Sequence, residues 1–299
     1  MSVPTEISRR PYLLLHKEPF KLKQWEITLL ILNIITITAH LVCAAFIFTA
    51  KKDWKAPTTI DWSDWIPSDP NVGCMEDLLN GEKNICTMTI KSELLFKISI
   101  RTESGMFHML SFIFELFPII IDWRTYLRNA KNGKNQWRWV EYSCSASLMI
   151  MVIAQVNGIT SAWPQLLLVV STAAVMLLGL VGENEHLTGR SSNQKWLIHL
   201  TAWLLYVGVW VVIIWNFELT MTRQTHAAAK PPKIVKYIIW VTFLFFSSFG
   251  VVQTLQFLNI FHGKQWMAEV IYVSLSIGSK LTLGVMLFHG GAIRDGYVQ

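Results

Sequence analysis

The chain has 299 residues, 52% of them hydrophobic and only 15% charged, against roughly 25% charged in an ordinary soluble domain. With a mean hydropathy of +0.38, this composition excludes a water-soluble globular protein and points to several bilayer crossings, each needing about 20 apolar residues. The net charge of +6 marks no nucleic-acid partner, because the basic residues fall in short loops and form no continuous stripe.

Apolar windows predict seven spans, at about 25–50, 105–123, 137–157, 163–182, 196–217, 236–260 and 267–289. The expected fold class is an all-α membrane protein, with a seven-transmembrane-helix bundle over 25–289 between an N-terminal segment, 1–24, and a tail, 290–299. Aromatics beside charges at the run ends, as in Gln24-Trp25-Glu26 and Lys195-Trp196, fit the belts at membrane interfaces. The first run follows Arg9, Arg10, Lys17, Lys21 and Lys23. It is too long for a signal-peptide core and lacks an evident cleavage site, so it is expected to be retained.

The loop after the first span, 51–104, is the only sizeable piece outside the membrane and contains Cys74 and Cys86. Residues 84–91 and 94–101 alternate with period two about Ser92-Glu93, which predicts a small β-hairpin, an irregular loop being the alternative. Charge in the short loops sets the orientation. Arg124, Arg128, Lys131, Lys134, Arg138, Arg190, Lys195 and Lys264 fall on the side of the basic N-terminus, against Arg223, Lys230, Lys233, Lys236 and Arg294 on the other. The N-terminus is therefore expected in the cytoplasm, with the C-terminus and the long loop extracellular. An outside location permits a Cys74–Cys86 disulfide. Phosphate-binding, dinucleotide and zinc-site motifs are absent, so neither an enzyme nor a metal site is expected.

Three ionisable residues are expected inside the apolar interior: Lys280 in the last span, Glu141 in the third and Glu115 in the second. Each costs at least about 2.5–3.5 kcal/mol at a helix centre, so each marks function by default. A deep Lys with a deep Glu reads either as a structural ion pair or as chemistry. A desolvated lysine amine is nucleophilic and condenses with an aldehyde to a Schiff base, whose protonated form needs an anion. A lysine in the middle of the seventh helix points to retinal as that aldehyde.

The stretches RWVEYSCSASLMIMVIAQVNGI (138–159), FLFFSSFGVVQTLQF (243–257) and YVSLSIGSKL (272–281) resemble heliorhodopsins, a family of seven-helix retinal proteins distant from the microbial pumps. The resemblance implies a rhodopsin-like bundle with a cytoplasmic N-terminus, in agreement with the loop charges. It also implies all-trans-retinal bound covalently to Lys280, with Glu141 as counterion and Ser276, one turn before Lys280, beside the linkage. Ser276 bonded to its own helix is the alternative. Ser145 and Met149 continue the Glu141 face, and Tyr206, Phe243, Phe246 and Ser247 match pocket positions, where plain packing competes with ligand contact. A homodimer through the outer hairpin and a cytoplasmic signalling partner are further implications.

The family carries a histidine on each of the first two helices beside the Schiff base. His40 matches the first; on the second, Ser111 matches a cavity serine and Glu115 stands where the histidine is expected, with His108 as the displaced partner under another register. Two carboxylates in one low-dielectric site disfavour double ionisation, so one of Glu115 and Glu141 stays protonated, unless Glu115 serves only as a hydrogen-bonding replacement. Three readings of function follow. The first is a photosensor that signals without pumping. The second is a light-activated proton channel using Glu115, with Glu218, Glu183 and Glu185 nearer the interfaces. The third is a non-retinal transporter or receptor gated by Lys280 and Glu141.

Overall fold

A polar inner stripe on otherwise apolar helices organises the bundle. The computed structural model describes residues 22–51, 53–67, 86–189, 192–223 and 231–290. α1 (Gln24–Phe48) buries Asn33, Thr36 and His40 along with Leu29 and Ile37. It turns Ile27, Ile31, Ile34, Ile35 and Val42 outward. In water that arrangement would be unstable, whereas in lipid it leaves apolar side chains outside and polar groups to be satisfied within the bundle. The helix starts where the Glu26 carboxylate accepts the Lys23 backbone N–H at 2.7 Å.

Six further helices follow: α2 (Ile100–Lys131), α3 (Gln136–Val156), α4 (Ala162–Thr188), α5 (Ser192–Arg223), α6 (Lys233–Phe257) and α7 (Trp266–His289). Among the described residues these seven are long and apolar enough to cross a membrane, as the sequence predicts. Successive helices pack side by side, and α7 closes the ring against α1. α3 is the central helix, with 72% of its most apolar window buried against 28% for α1. Ser99 caps α2 by accepting the Thr102 N–H, and Asn135 caps α3 by accepting that of Arg138.

Two expectations about helix ends are corrected. Residues 124–131, expected as a basic loop, are helical: α2 bends at Asp122, four residues after Pro118, and continues to Lys131. Tyr126, Leu127 and Ala130 pack there against Leu29 of α1, which offsets the charges on the outer face. α4 runs six residues beyond its expected end at 182, because the glutamate that marks the end of its apolar run, Glu183, is paired within the bundle.

The long loop does hold a β-hairpin, built differently from expectation. β1 (Lys55–Pro67) pairs antiparallel with β2 (Cys86–Ser99), from Lys55 opposite Ser99 to Pro67 opposite Cys86. Ser92 and Glu93, expected at the turn, lie inside β2 opposite Asp61 and Ile60. Ser92 shares the parity of Met88, Ile90 and Leu94, so the alternation runs straight through it. The irregularity is a bulge, with Thr58 opposite Phe96 and Thr59 opposite Leu94, which leaves Leu95 as the extra residue. The hairpin is tied to the α3–α4 connection by the Thr59 N–H, which donates to the Thr160 carbonyl at 2.8 Å. Hydroxyl groups of Ser161, Ser92 and Thr59 hold the Asp61 carboxyl below the usual carboxylate range. Cys74 lies outside the described residues, and with it the expected disulfide to Cys86; the tail beyond 290 also lies outside them.

Candidate functional site

Helix periodicity brings Lys280 and Glu141 together at one level of the bundle, with Glu115 on the wall of an adjoining cavity. On α7, Lys280 and Ser276 are one turn apart; on α3, Glu141 begins a face that continues through Ser145 and Met149. The Lys280 Nζ donates to Glu141 Oε1 at 2.7 Å and to Ser276 Oγ at 2.8 Å. The Ser111 hydroxyl, on α2, reaches the same carboxylate oxygen at 2.6 Å. Lys280 and Glu141 are each 2% exposed, so attraction between them acts in a low dielectric and either partner alone would be a buried, uncompensated charge. The Tyr142 ring completes the surround, its centroid 5.1 Å from Nζ.

Both expected histidines stand beside this pair. His40 and His108 meet through Nδ1 at 3.0 Å, and His40 Nε2 lies 3.8 Å from Glu115 Oε1. The two registers weighed for α2 therefore converge: His108 and Glu115, seven residues apart, both face His40. His108 Nε2 also lies 3.0 Å from where a Cβ on Gly284 would be, so the imidazole packs closely on α7 at that glycine. His40 Nε2, His108 Nε2 and Glu115 Oε2 are buried without a hydrogen-bond partner. Glu115 and Glu141 line one small cavity, together with Asn33, Tyr126, Asn135, Arg138 and Glu269.

On the other side of Lys280 the bundle is apolar. A small cavity is lined by Lys280, Tyr142, Ser145, Ala146, Met149, Met176, Phe246, Phe249 and Ser279. Two more share Met176 and Phe246 with it and extend to Tyr206, Trp210 and Trp203 on α5. An amine at one end of an apolar, aromatic-walled series of cavities fits a linear hydrocarbon aldehyde. Phe243 and Ser247 do not line these three cavities: Phe243 stacks on Tyr206, and the Ser247 Oγ lies 2.7 Å from the Tyr206 hydroxyl. They position the wall. Met176, Phe249, Ala146 and Ser279 line the cavities without having been singled out in the sequence, since at helical spacing they read as ordinary core.

Sequence reasoning also missed a second charged cluster, at the bundle end away from the hairpin. Arg138, expected in a loop, is 6% exposed and pairs with Glu183 of α4 at 2.6 Å and with Glu269 of α7. The Trp139 indole N–H and the Asn135 backbone N–H donate to Glu183, while the Tyr126 hydroxyl and Asn135 side chain donate to Glu269. The Arg138 guanidinium lies 4.0 Å from the Tyr272 ring centroid. Glu183 is thus no solvated helix end. A further buried carboxylate, Glu103, lies at the hairpin end and accepts from Gln155 Nε2 at 3.3 Å. The interior holds more charge than the three residues expected; the signal for Arg138 was its place one turn before Glu141 on the same helix face.

A family model described as Heliorhodopsin matches residues 29–292. Among solved structures, the chain is similar to a cyanorhodopsin from the cyanobacterium Calothrix sp., with a TM-score of 0.54 and 9% identity over 92% of this chain and 99% of that one. At that identity the likeness shows the rhodopsin-type fold alone. No curated protein matches the chain significantly.

Proposed function

The chain belongs to the heliorhodopsin family of retinal light-sensing or light-driven membrane proteins, and from that premise we propose a photosensor in which Lys280 carries all-trans-retinal and Glu141 is the counterion. The supporting observation is the buried contact of Lys280 Nζ with Glu141 Oε1 at 2.7 Å, at the end of the apolar cavities. Retinal, when bound, supplies visible absorption and a light-driven isomerisation, and as a protonated Schiff base it places a positive charge at Nζ. Glu141, held by Ser111, presents its negative charge to that nitrogen, and Ser276 supplies a second acceptor. Met149, Met176 and Phe246 exclude water from the apolar side. His40, His108 and Glu115 are the groups placed to take or return a proton on the polar side. No substrate turns over in this reading.

The orientation proposed from loop charge puts the N-terminus and the Arg138 cluster on the cytoplasmic side, where a signalling partner would read helix displacement, and the hairpin and C-terminus outside. Met88, Ile90, Leu94 and Phe96 on the hairpin are about half exposed or more, which supports a homodimer contact there. In Glu141→Gln, the visible band should move to longer wavelength. A nearby anion stabilises positive charge localised at Nζ more than charge spread along the polyene, so its loss narrows the excitation gap. An unshifted band would exclude Glu141 as counterion.

One observation favours the proton-conducting alternative: Glu115 shares a cavity with Glu141 and lies within 3.8 Å of His40. Voltage clamp in cells separates the two readings. The sensor reading expects no sustained photocurrent at any voltage; a current that disappears in Glu115→Gln would establish conduction instead.

A further inference from the structure

We infer that the bend in α2 opens a water-filled access path to Glu115 and Glu141 from the bundle end away from the hairpin. The inference rests on the reading of those two residues as the carboxylates of the light-responsive site. Pro118 lacks the N–H that would bond the preceding turn, and four residues later Asp122 leaves the helix with φ −158° and ψ 77°. Its carboxylate accepts the Thr125 N–H at 3.0 Å, so the last part of α2 restarts with its own cap.

A cleft open to the surface lies beside this bend, its wall made partly of Asp122, Thr125, Asn129, Lys134 and Gln136 and partly of the apolar Phe117, Pro118, Ile121 and Trp137. It shares Pro118, Tyr126, Asn135 and Trp137 with the inner cavity that reaches Glu115 and Glu141. The two have these four residues as a common wall, and the proposed path runs between them from the surface to the carboxylates. The Glu115 side chain is 13% exposed against 3% for Glu141, as expected for a carboxylate on the wall of an open space.

Independent support comes from unsatisfied atoms. Glu115 Oε2 and Arg138 Nε are buried with no protein partner, and both residues line the inner cavity. Buried polar atoms of this kind are normally satisfied by ordered water. Lipid tails would leave them, and the polar groups among the outer lining, without hydrogen bonds. On the hairpin side Glu103, Ser104 and Gln155 also hold unpaired buried atoms, but Ile100, Phe107, Ile150 and Ile153 are fully buried there, whereas the two adjoining spaces lie on the opposite side of Lys280. The proposed path is therefore one-sided.

The test uses Val273→Cys, a position on the wall of the inner cavity, in a chain whose Cys43, Cys74, Cys86 and Cys144 are replaced by alanine. Silver ion, a water-sized thiol reagent that does not partition into lipid, is added to oriented membrane vesicles from one side at a time, and the remaining thiol is titrated. The V273C thiol should react from the side away from the hairpin and not from the other. Asn129→Trp, which obstructs the outer cavity alone, should slow the reaction by about tenfold, equivalent to about 1.4 kcal/mol of added barrier. Ala154→Cys, fully buried on the hairpin half of α3, should stay unreactive. If V273C lacks the visible band of a folded, loaded protein, Phe114→Cys on the same cavity replaces it. Reaction from the hairpin side, no reaction from either side, or indifference to Asn129→Trp would overturn the path. The visible band of the unsubstituted chain reports the retinal reading separately: band present with silent thiols removes the path alone, and no band removes the retinal reading alone.

Discussion

Lys280→Ala, expressed and purified with all-trans-retinal, should show no visible absorption band, because the variant lacks the amine that ends the apolar cavities. Loss of colour alone does not separate a linkage from a structural ion pair, since removing one partner of a buried pair costs about 3–5 kcal/mol and could unfold the bundle. Lys280→Arg separates them. It keeps a cation beside Glu141, and its guanidinium stays protonated and forms no imine. The retinal reading expects a folded, colourless protein from Lys280→Arg. A coloured Lys280→Arg or Lys280→Ala protein would exclude Lys280 as the attachment site. Absorbance is read beside thermal denaturation of the same samples, so that folding and colour are scored independently.

Arg138→Leu should be the most destabilising single substitution at the end away from the hairpin. It leaves Glu183 and Glu269, 3% and 2% exposed, without their shared cation. Breaking such a buried arrangement costs about 3–5 kcal/mol, much of it the desolvation of the charges left behind. The triple variant Arg138→Leu, Glu183→Gln, Glu269→Gln removes those charges and should recover most of the loss, since replacing every member of a buried ionic cluster is often nearly neutral. Thermal unfolding in detergent measures both. Equal stability of Arg138→Leu and the parent would mean that the cluster does not hold α3, α4 and α7 together.

Seven apolar runs were enough to specify the bundle, because in lipid a helix that satisfies its own backbone is the only open-ended element available. The pairing of Lys280 with Glu141 and the approach of Ser276 were legible for a related reason: charges are rare in such runs, so those present stand out, and helical spacing says which share a face. Where the reading failed, the signal was ambiguous at the membrane edge. Arg138 and Glu183 sit at the ends of apolar runs, where a charge normally meets water; only the three-dimensional meeting of α3, α4 and α7 shows that they meet each other. Glu269 was overlooked for the same reason. The bend at Asp122 could be suspected from Pro118, yet the helical continuation to Lys131 depends on Tyr126 and Leu127 finding Leu29 on another helix. In the hairpin, Ser92 looked like a break because it is polar, whereas its parity kept the strand intact. Pocket residues such as Met176 and Phe249 carry no distinguishing pattern at all, since a helix packed in a bundle needs apolar residues at the same spacing whether or not a ligand lies between them.

The most direct test of the account is the site of attachment itself. Protein loaded with all-trans-retinal is reduced with borohydride, which converts an imine to a stable secondary amine, then digested and analysed by mass spectrometry. The account predicts a retinyl adduct on the peptide that contains Lys280, and no adduct in Lys280→Arg. An adduct on any other lysine, or none on a protein that absorbs visible light, would contradict it.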